Sequence, residues 1–334
     1  MPKAVVLHKH PDGTIQESDF AVADIPRPAL KEGFFITRNS VISLDAGFRA
    51  WMNAGAGDNY LQGMQIGDPV QSIVLGEVVE SANSNYPVGT IVNARTAWEE
   101  YSLLDGSDLC APLEPAADLP LAEYMATLGP TGMTAWVGLF EIGKPQANDV
   151  VVVSAAGGAV GTVVGQLAKA AGCRTIGLTS SAEKAQWLVE SVGFDAAISR
   201  ESDPDLLTAL QREAPDGINL FFDNVGGAVL NDAMGHLAEN ARLVLCGAIS
   251  QYETAPQSVT NCWELITKRA RMEGFMFSDY ADQFPAILAD LEQRMRDGTL
   301  KSFDQQYVGI EKTAQAFCDM MQGRSRGKCL VVLE

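Results

Sequence analysis

Basic residues are scarce in this 334-residue sequence, which has 24 Lys and Arg against 42 Asp and Glu and a formal net charge of -18. A protein that binds nucleic acid needs a basic excess to neutralise phosphates, and an anionic membrane surface attracts basic segments. Neither partner is therefore expected. Any anionic ligand must bind in a local cationic pocket that the overall charge does not reveal.

Long apolar runs are also absent. No stretch approaches the roughly 20 apolar residues of a membrane span, and the opening MPKAVVLHKH lacks the apolar core of a signal peptide. We therefore expect a cytoplasmic protein that does not bind membranes. Since 47% of the residues are hydrophobic and 20% are charged, the composition is that of an ordinary globular protein. The length favours two domains.

Residues that bind metals are few and scattered. The three histidines and six cysteines include no CxxC pair and show no zinc-ligand spacing. We therefore expect free thiols in a reducing compartment and no bound metal. The cysteines are Cys110, Cys173, Cys246, Cys262, Cys318 and Cys329.

The apolar pattern divides the chain into three stretches. Residues 1–124 contain short apolar runs between Pro, Gly and Asn turns, which is typical of β-structure. Residues 125–299 alternate strands with helical segments, which predicts a parallel sheet; the strand candidates are VVVVSA, RTIGLTS, NLFFDNV and RLVLCGAIS. Residues 300–334 end in a helix and a strand, KCLVVLE, that could rejoin the first stretch. We predict one domain from 1–124 with 300–334, and another from 125–299.

The strongest chemical signal is DVVVVSAAGGAVGTVVGQLAKAAGC, residues 149–173, where a buried strand turns directly into a helix. The motif reads Ala156-x-Gly158-x-x-Gly161. Gly158 lets the backbone approach a pyrophosphate, Gly161 lets the helix pack closely on the strand, and the helix N-terminus offers N–H donors. The alternative is a glycine-rich turn in another doubly wound fold. The predicted dinucleotide-binding residues are Gly157, Gly158, Ala159, Val160 and Gly161.

The second strand, RTIGLTSS (174–181), indicates which dinucleotide binds. NAD sites place an acidic residue at this strand's tip, and none stands here, so nothing repels a 2′-phosphate. Ser180-x-x-Glu183 predicts a capping box, and Lys184 follows it. Lys184 and Ser180 therefore predict an NADP site, unless Lys184 is a solvated surface lysine. Glu183 weakens the local positive field unless it turns back to cap the helix.

Long ordered segments then carry a resemblance that covers nearly the whole chain. The sequence resembles the medium-chain dehydrogenase/reductase superfamily. More narrowly, it is similar to the zinc-independent group of prostaglandin reductases (leukotriene B4 dehydrogenase-type), plant double-bond reductases and curcumin reductases. The resemblance implies an α/β protein with a Rossmann doubly wound parallel sheet, a GroES-like β-rich domain and a homodimer, for which RMEGFMF is the candidate pairing segment. The matching segments are SAAGGAVGTVVGQLAK, GLTSSAEKAQWL, LFFDNVGG, LCGAISQY, RMEGFMFSDY and GRSRGKCLVV.

Matching positions imply the roles of individual residues. Lys184 falls on the family's 2′-phosphate lysine, and Asn224 falls on its nucleotide-binding asparagine at a strand end. Tyr252 falls on the tyrosine that contacts the nicotinamide ribose and polarises the substrate carbonyl. Its alternative is a turn tyrosine that only packs. The implied nicotinamide-side residues are Cys246, Gly247, Ala248, Ile249, Ser250, Tyr252, Phe275, Met276 and Phe277.

Departures from the family are equally informative. Ser43-Leu44-Asp45 and Leu75-Gly76-Glu77 stand where zinc-dependent relatives carry metal ligands, so no zinc is expected. Gly47 replaces a substrate-side aromatic residue, and Ser325 replaces an asparagine but can keep one hydrogen bond. Arg200 replaces a tyrosine near the adenosine, where it could stack, pair with the 2′-phosphate or lie exposed. The pocket loops at 47–66 and 252–264 diverge, so the physiological substrate is not identified.

The preferred function is NADPH-dependent reduction of the carbon–carbon double bond of an α,β-unsaturated ketone or aldehyde. Hydride would reach the β-carbon, Tyr252 would stabilise the enolate oxygen and solvent would protonate the α-carbon. Two alternatives stay open. One is an NADPH-dependent quinone oxidoreductase, and the other is a catalytically silent NADPH-binding protein, for which the altered segment 44–50 is the only support.

Overall fold

The computed structural model describes residues 1–58 and 61–333. Residues 59 and 60, within the predicted pocket loop 47–66, lie outside the described residues. The chain forms two compact units. The first comprises Met1–Met125, Asp304–Ser325 and Cys329–Glu334, and the second comprises Ala126–Phe303 and Arg326–Lys328.

The first unit begins with strands that pair antiparallel. Glycines close the connections: Gly89, at φ +91°, lies between the fourth and fifth strands, where its N–H donates to the carbonyl of Val78. The strands are β1 (Lys3–Leu7), β2 (Phe20–Asp24), β3 (Phe35–Leu44), β4 (Gln71–Ser81), β5 (Ile91–Ala97), β6 (Tyr101–Leu104) and β7 (Ala111–Leu113).

The second unit alternates helices and strands, as its sequence pattern predicts. The elements are α1 (Pro130–Trp136), β8 (Val150–Val153), α2 (Ala159–Ala170), β9 (Arg174–Thr179), α3 (Ala182–Trp187), β10 (Ala196–Ser199), α4 (Leu206–Glu213), β11 (Ile218–Asp223), α5 (Gly227–Met234), β12 (Leu237–Leu245), α6 (Cys262–Thr267), β13 (Arg271–Gly274) and α7 (Phe284–Arg296). Helices α1 and α3 continue as wider π turns, Val137–Gly143 and Leu188–Val192.

The six strands of this unit form one parallel sheet in the order β10-β9-β8-β11-β12-β13. This is the Rossmann order, in which the direction of winding reverses between β8 and β11. Val151, Val152 and Val153 of β8 are fully buried, since helices cover both faces of such a sheet. The prediction of an α/β protein with a doubly wound parallel sheet is confirmed.

Two predicted strands differ in extent from the observed ones. The candidate RLVLCGAIS was too long at its carboxyl end: β12 ends at Leu245 because the N–H groups of Cys246 and Gly247 turn to the carbonyl of Asp223, at 2.8 and 3.1 Å. The strand-like RMEGFMF segment is extended only over Arg271–Gly274. Residues after both strand ends are therefore available to form loops.

The last segment of the chain returns to the first unit. Strand β14 (Asp304–Val308) and helix α8 (Thr313–Met321) precede β15 (Lys328–Val332), which pairs antiparallel with β3, with Val331 opposite Ile42. The resulting sheet has the order β14-β15-β3-β4-β5-β7, with β6 also paired to β3, while β1 and β2 form a separate hairpin. The first unit is thus the β-rich part of the fold.

Aromatic rings organise the core of the first unit. Trp98 is 1% exposed, and its ring centroid lies 5.2 Å from that of Phe20 and 5.3 Å from that of Phe317 on α8. Helix α8 thereby packs against the strands that precede it by some two hundred residues. Among the residues that the structure describes, no helix is long and apolar enough to cross a membrane.

Candidate functional site

The turn between β8 and α2 forms a loop anchored to two neighbouring strands. The N–H of Ser154 donates to Phe222 on β11, and the N–H of Ala156 donates to Leu178 on β9, both at 3.0 Å. Ala155 takes a left-handed φ of +47°, and α2 begins directly after Gly158. The predicted strand–turn–helix arrangement is confirmed. We refer to Ser154–Gly161 as the phosphate loop.

A side chain would not fit at Gly161 of the phosphate loop, and one at Gly158 would be tight. A Cβ at Gly161 would lie 2.6 Å from both the carbonyl oxygen of Ala155 and the Cα of Ala156. At Gly158 a Cβ would approach the same oxygen to 3.3 Å. The predicted close packing of helix on strand at Gly161 is therefore confirmed. The first N–H groups of α2 have no acceptor within the helix, so the loop offers donors suited to a pyrophosphate.

The tip of β9 differs from the predicted capping box. The N-cap of α3 is Ser181, not Ser180: the Ser181 Oγ accepts from the N–H of Lys184 at 3.3 Å. Helix α3 starts at Ala182, one residue later than the predicted capping box implies, so Lys184 rather than Glu183 takes the third helical position. Ser180 itself is exposed.

Lys184 lies beside the phosphate loop. Its Cδ would be 3.6 Å from a Cβ at Gly157, and the Trp187 ring and the Thr179 hydroxyl are each within 3.8 Å of the same point. Gly157 therefore sits beneath the lysine stem and the indole. The structure thus brings together the loop and the lysine that the sequence assigns to phosphate binding.

Both acidic residues near the β9 tip have partners. Glu183 forms an ion pair with Arg326, whose guanidinium lies 5.5 Å from the centre of the Trp187 ring. Glu201 accepts from the N–H of Ala182 at 3.0 Å. Arg200, in contrast, has an exposed side chain, while its backbone N–H donates to Thr179. Arg326 is 143 positions from Glu183 in the chain, so no local sequence pattern indicates that it lies here.

Arg326 reaches this position through a backbone contact with the phosphate loop. The N–H of the next residue, Gly327, donates to the carbonyl of Gly157 at 2.8 Å, and Gly327 also bridges Gly158. Gly327 has φ +63°, and a Cβ there would lie 1.8 Å from the carbonyl oxygen of Phe303. The glycine that follows Arg326 is therefore required for this approach.

The end of β11 is organised by a buried carboxylate. Asp223 is fully buried and accepts from the Ser154 hydroxyl at 2.7 Å and from the N–H groups of Val225 and Gly226 at 3.0 Å. Burial raises the Asp223 pKa, and the hydrogen bonds from Ser154, Val225 and Gly226 oppose that rise. Asp223 therefore acts as a hydrogen-bond acceptor at the end of the strand.

Asn224 holds the phosphate loop against this strand end. Its Nδ2 donates to the carbonyl of Ser154 at 2.8 Å, and its own N–H donates to the Ser154 hydroxyl at the same distance. The carbonyl of Asn224 also accepts from Ile249 at 3.2 Å. Asn224 thus joins the loop after β8 to the segment after β12 at the carboxyl ends of the strands, where open α/β sheets bind ligands.

Residues Cys246–Tyr252 form a compact turn after β12. The Tyr252 hydroxyl accepts from the N–H of Ala248 at 3.1 Å, while the Ser250 hydroxyl donates to Val225 at 2.7 Å. Burial raises the pKa of Tyr252 above its ordinary value, and burial followed by the charge of Asp223 raises that of Cys246 to about 12. Both groups are therefore protonated at neutral pH.

Four other residues that the resemblance assigns to the cofactor site differ in their exposure and in the unit to which they belong. Phe275 packs near Gly138, where a Cβ would lie 2.6 Å from its ring. Met276 is 38% exposed, and Phe277 stacks on Phe284 with ring centroids 5.6 Å apart. Ser325 belongs to the first unit, where it is buried.

In the first unit, the segment around Gly47 forms a 3₁₀ helix, Ala46–Met52. Arg49 is fully buried and donates to Asn53 and to the carbonyl of Gly13, each at 2.7 Å. A Cβ at Gly47 would meet only the Trp51 ring, at 3.9 Å, so this position has room for a side chain. Within residues 1–58 and 61–333, no group of three or more His, Cys, Asp or Glu could hold a metal ion.

Comparisons with known proteins agree on the ancestry of the chain. Residues 3–111 match a family described as the N-terminal domain of oxidoreductase, and residues 159–293 match one described as zinc-binding dehydrogenase. The chain is 34% identical to 2-alkenal reductase (NADP(+)-dependent) from Nicotiana tabacum, over 99% of this chain and 97% of that protein. It is 34% identical to prostaglandin reductase 1 from Bos taurus, over 98% of each. The structure of CurA from Vibrio vulnificus in complex with NADPH superposes with a TM-score of 0.91 at 31% identity, over 99% of each chain.

Proposed function

Because this chain belongs to the prostaglandin reductase and double-bond reductase group of the medium-chain dehydrogenase/reductase superfamily, we propose that it reduces α,β-unsaturated ketones and aldehydes with NADPH. The observation that carries the proposal is the similarity, over nearly the whole chain, to relatives named as NADP-dependent alkenal and prostaglandin reductases. The Rossmann order of the sheet and the phosphate loop support the same conclusion from geometry.

The phosphate loop and Lys184 bind the nucleotide in this proposal. The pyrophosphate lies at the start of α2, on the backbone of Gly157–Gly161, and the 2′-phosphate lies beside Lys184, with Ser180 and Arg200 nearby. Thr179, Ser180 and Ser181, where β9 ends, include no acidic residue, which supports NADP(H) over NAD(H). Ser325, Met276 and Phe277 stay predictions from the resemblance.

On the nicotinamide side, Asn224 and the segment Cys246–Tyr252 form the floor of the proposed site, with Phe275 beside it. The hydrogen bonds of Asn224 to Ser154 and Ile249 support this assignment, because they hold the two loops in one arrangement. The two proposed domains divide these roles. Residues 125–299 bind the nucleotide, and residues 1–124 with 300–334 contribute to substrate binding.

Bound NADPH supplies a hydride to the β-carbon of the substrate. Negative charge then develops on the carbonyl oxygen, and the O–H of Tyr252 donates a hydrogen bond to that oxygen. The raised pKa of Tyr252 keeps the phenol protonated and able to donate, while the N–H of Ala248 fixes its position. Solvent protonates the α-carbon. No metal ion takes part, since Ser43, Asp45 and Glu77 stand in the segments where the zinc enzymes of the superfamily carry their ligands.

An absorbance assay of NADPH oxidation tests the proposal, with panels of enones, enals and quinones as substrates. We expect turnover of enones and enals, and NMR of the product should show a saturated carbon–carbon bond with the carbonyl retained. Turnover of quinones alone would favour the quinone oxidoreductase alternative. Tight NADPH binding without turnover of any substrate would favour the silent alternative.

The assembly we propose is a homodimer that pairs through β13. This strand is at the edge of the six-stranded sheet, and α6 beside it exposes Trp263 and Ile266 to 69% and 66%. Light scattering of the purified protein should give twice the 35.7 kDa chain mass. A proline in place of Met272 should yield monomers, and a monomeric parent would contradict the proposal.

We also propose that the protein works in the cytoplasm. All six cysteines are free, including the exposed Cys262, as expected for a protein kept in a reducing compartment. Fractionation of cells that express the protein at native levels would test this.

A further inference from the structure

Charged side chains at the tip of β9 form a mixed cluster rather than a simple cationic pocket. The cluster contains three cations, Lys184, Arg200 and Arg326, and two carboxylates, Glu183 and Glu201. A 2′-phosphate carries a charge close to −2 at neutral pH, and the chain as a whole is strongly acidic. The binding of such a group therefore depends on which cations can turn toward it.

Arg326 is positioned by two features that do not depend on Glu183. Its backbone is fixed beside the phosphate loop by the hydrogen bond from Gly327 to Gly157. Its guanidinium lies over the Trp187 ring, which itself packs edge-on against Phe303 with ring centroids 5.3 Å apart. The side chain would remain in place if its ionic partner changed.

The ion pair between Arg326 and Glu183 is weak enough for another anion to replace Glu183. Glu183 is 81% exposed in the ion pair, and an exposed pair of this kind is weak because water screens both charges. A phosphate offers three acceptor oxygens and more charge than a carboxylate, and arginine binds it with two N–H groups at once. Phosphate therefore competes effectively for Arg326.

We propose that Arg326 is a second cation for the 2′-phosphate of NADP(H), and that it exchanges Glu183 for the phosphate when the nucleotide binds. Lys184 Cδ and the Trp187 ring lie 3.6 and 3.8 Å from the position of a Cβ at Gly157, and the Arg326 guanidinium lies 5.5 Å from the centre of the same ring. In the free protein, the Glu183 carboxylate neutralises the charge of Arg326. The inference rests on the nucleotide placement proposed above.

Binding of 2′,5′-ADP and 5′-AMP, measured by calorimetry, tests the inference without any enzymatic turnover. The two ligands differ only in the 2′-phosphate. We expect Arg326→Ala to weaken 2′,5′-ADP binding about tenfold, as for loss of a charge-assisted hydrogen bond, and to change 5′-AMP binding by less than about twofold. Arg326→Lys should recover part of the loss.

A matched control is Arg324→Ala, which removes the same charge two residues away. Arg324 pairs with Asp319 on α8, its Nε 2.8 Å from the carboxylate. This variant should bind both ligands like the parent. Thermal unfolding of Arg326→Ala should match that of the control, since only the side chain is lost.

Glu183→Gln separates the two roles of the ion pair. If Arg326 contacts the phosphate, Glu183→Gln should strengthen 2′,5′-ADP binding about threefold by releasing the guanidinium, and the double variant should bind as weakly as Arg326→Ala. Parental affinity in the double variant would mean that Arg326 merely neutralises Glu183, which overturns the inference.

Other outcomes are equally decisive. Equal losses of 2′,5′-ADP and 5′-AMP binding in Arg326→Ala, or no loss of either, would overturn the inference about Arg326 but not the proposed nucleotide placement. If the parent itself binds the two ligands equally, the proposed nucleotide placement fails together with it.

Discussion

The phosphate loop and the segment Cys246–Tyr252 both follow strands of one parallel sheet, yet they are held in different ways. The loop is defined by volume, because Gly161 leaves no space for a Cβ. The second segment is defined by hydrogen bonds, from Cys246 and Gly247 to Asp223 and from Ala248 to Tyr252. A substitution at Gly161 therefore acts through steric overlap, whereas one in the second segment acts through a lost donor or acceptor.

The largest effect is expected from adding volume to the loop. Gly161→Val should lower the free energy of unfolding by about 3 kcal/mol and abolish NADPH binding, because the new side chain would collide with Ala155 and Ala156. Urea denaturation and calorimetry measure the two effects. Gly47→Ala is the control, since a Cβ there meets only Trp51, and it should change stability by less than about 0.5 kcal/mol. Equal behaviour of the two variants would contradict the steric explanation.

Removal of one hydroxyl should have the next largest effect, and it should be confined to catalysis. Tyr252→Phe is expected to lower kcat/KM for an enone about a hundredfold, as for loss of one donor to a developing oxyanion. NADPH affinity should stay within about twofold. Tyr101→Phe, which removes a hydroxyl from a ring stacked under Arg27, is the control. An unchanged kcat/KM would remove Tyr252 from catalysis.

The pH profile checks the same role. Tyr252 donates only while it is protonated, and burial raises its pKa above the ordinary 10.0. The activity that depends on this group is therefore complete at neutral pH and is lost only as the pH rises through the raised pKa. An alkaline limb of kcat/KM below pH 10.0 would have to come from another group.

A moderate effect on NADPH binding is expected from substitution of Lys184, whose side chain lies beside the phosphate loop. Lys184→Ala should weaken NADPH binding about tenfold and leave NADH binding nearly unchanged, because only the 2′-phosphate is lost as a partner. Calorimetry with both nucleotides measures this. Lys169→Ala removes a lysine that pairs with Asp195, the residue before β10, and should affect neither nucleotide. A parallel loss of NADH affinity would indicate damage to the loop itself.

The smallest effect is expected in the first unit, at a position outside both regions. Gly47→Tyr restores the aromatic residue of the family and fills open space beside Trp51. KM for a bulky aromatic enone should rise about threefold, a change within the range of one pocket contact, while kcat for a small enal stays unchanged. Steady-state kinetics with both substrates measures the difference. Identical KM values for the bulky enone in Gly47→Tyr and in the parent would show that Gly47 does not line the pocket.

Local patterns predicted most of the second unit because its strands are buried on both faces and its helices begin and end at recognisable residues. The motif around Gly158 and Gly161 was sufficient for the phosphate loop, since a glycine is required wherever backbone packs on backbone. The end of β12 was predicted incorrectly because the apolar run continues through Cys246, while the chain leaves the sheet to satisfy the carbonyl of Asp223. Apolar periodicity carries no information about that hydrogen bond.

The sequence by itself determined the two-part pattern, the alternation of strands and helices in the second part, the phosphate loop and the lack of an acidic residue at the tip of β9, positions 179–181. Tertiary structure alone decided how the charges around that tip are arranged. It brought Arg326 from the far end of the chain to Glu183 and Trp187. The reason is physical: caps and glycine turns depend on residues within a few positions, whereas an ion pair across 143 positions depends on how the whole sheet and its returning strand are packed.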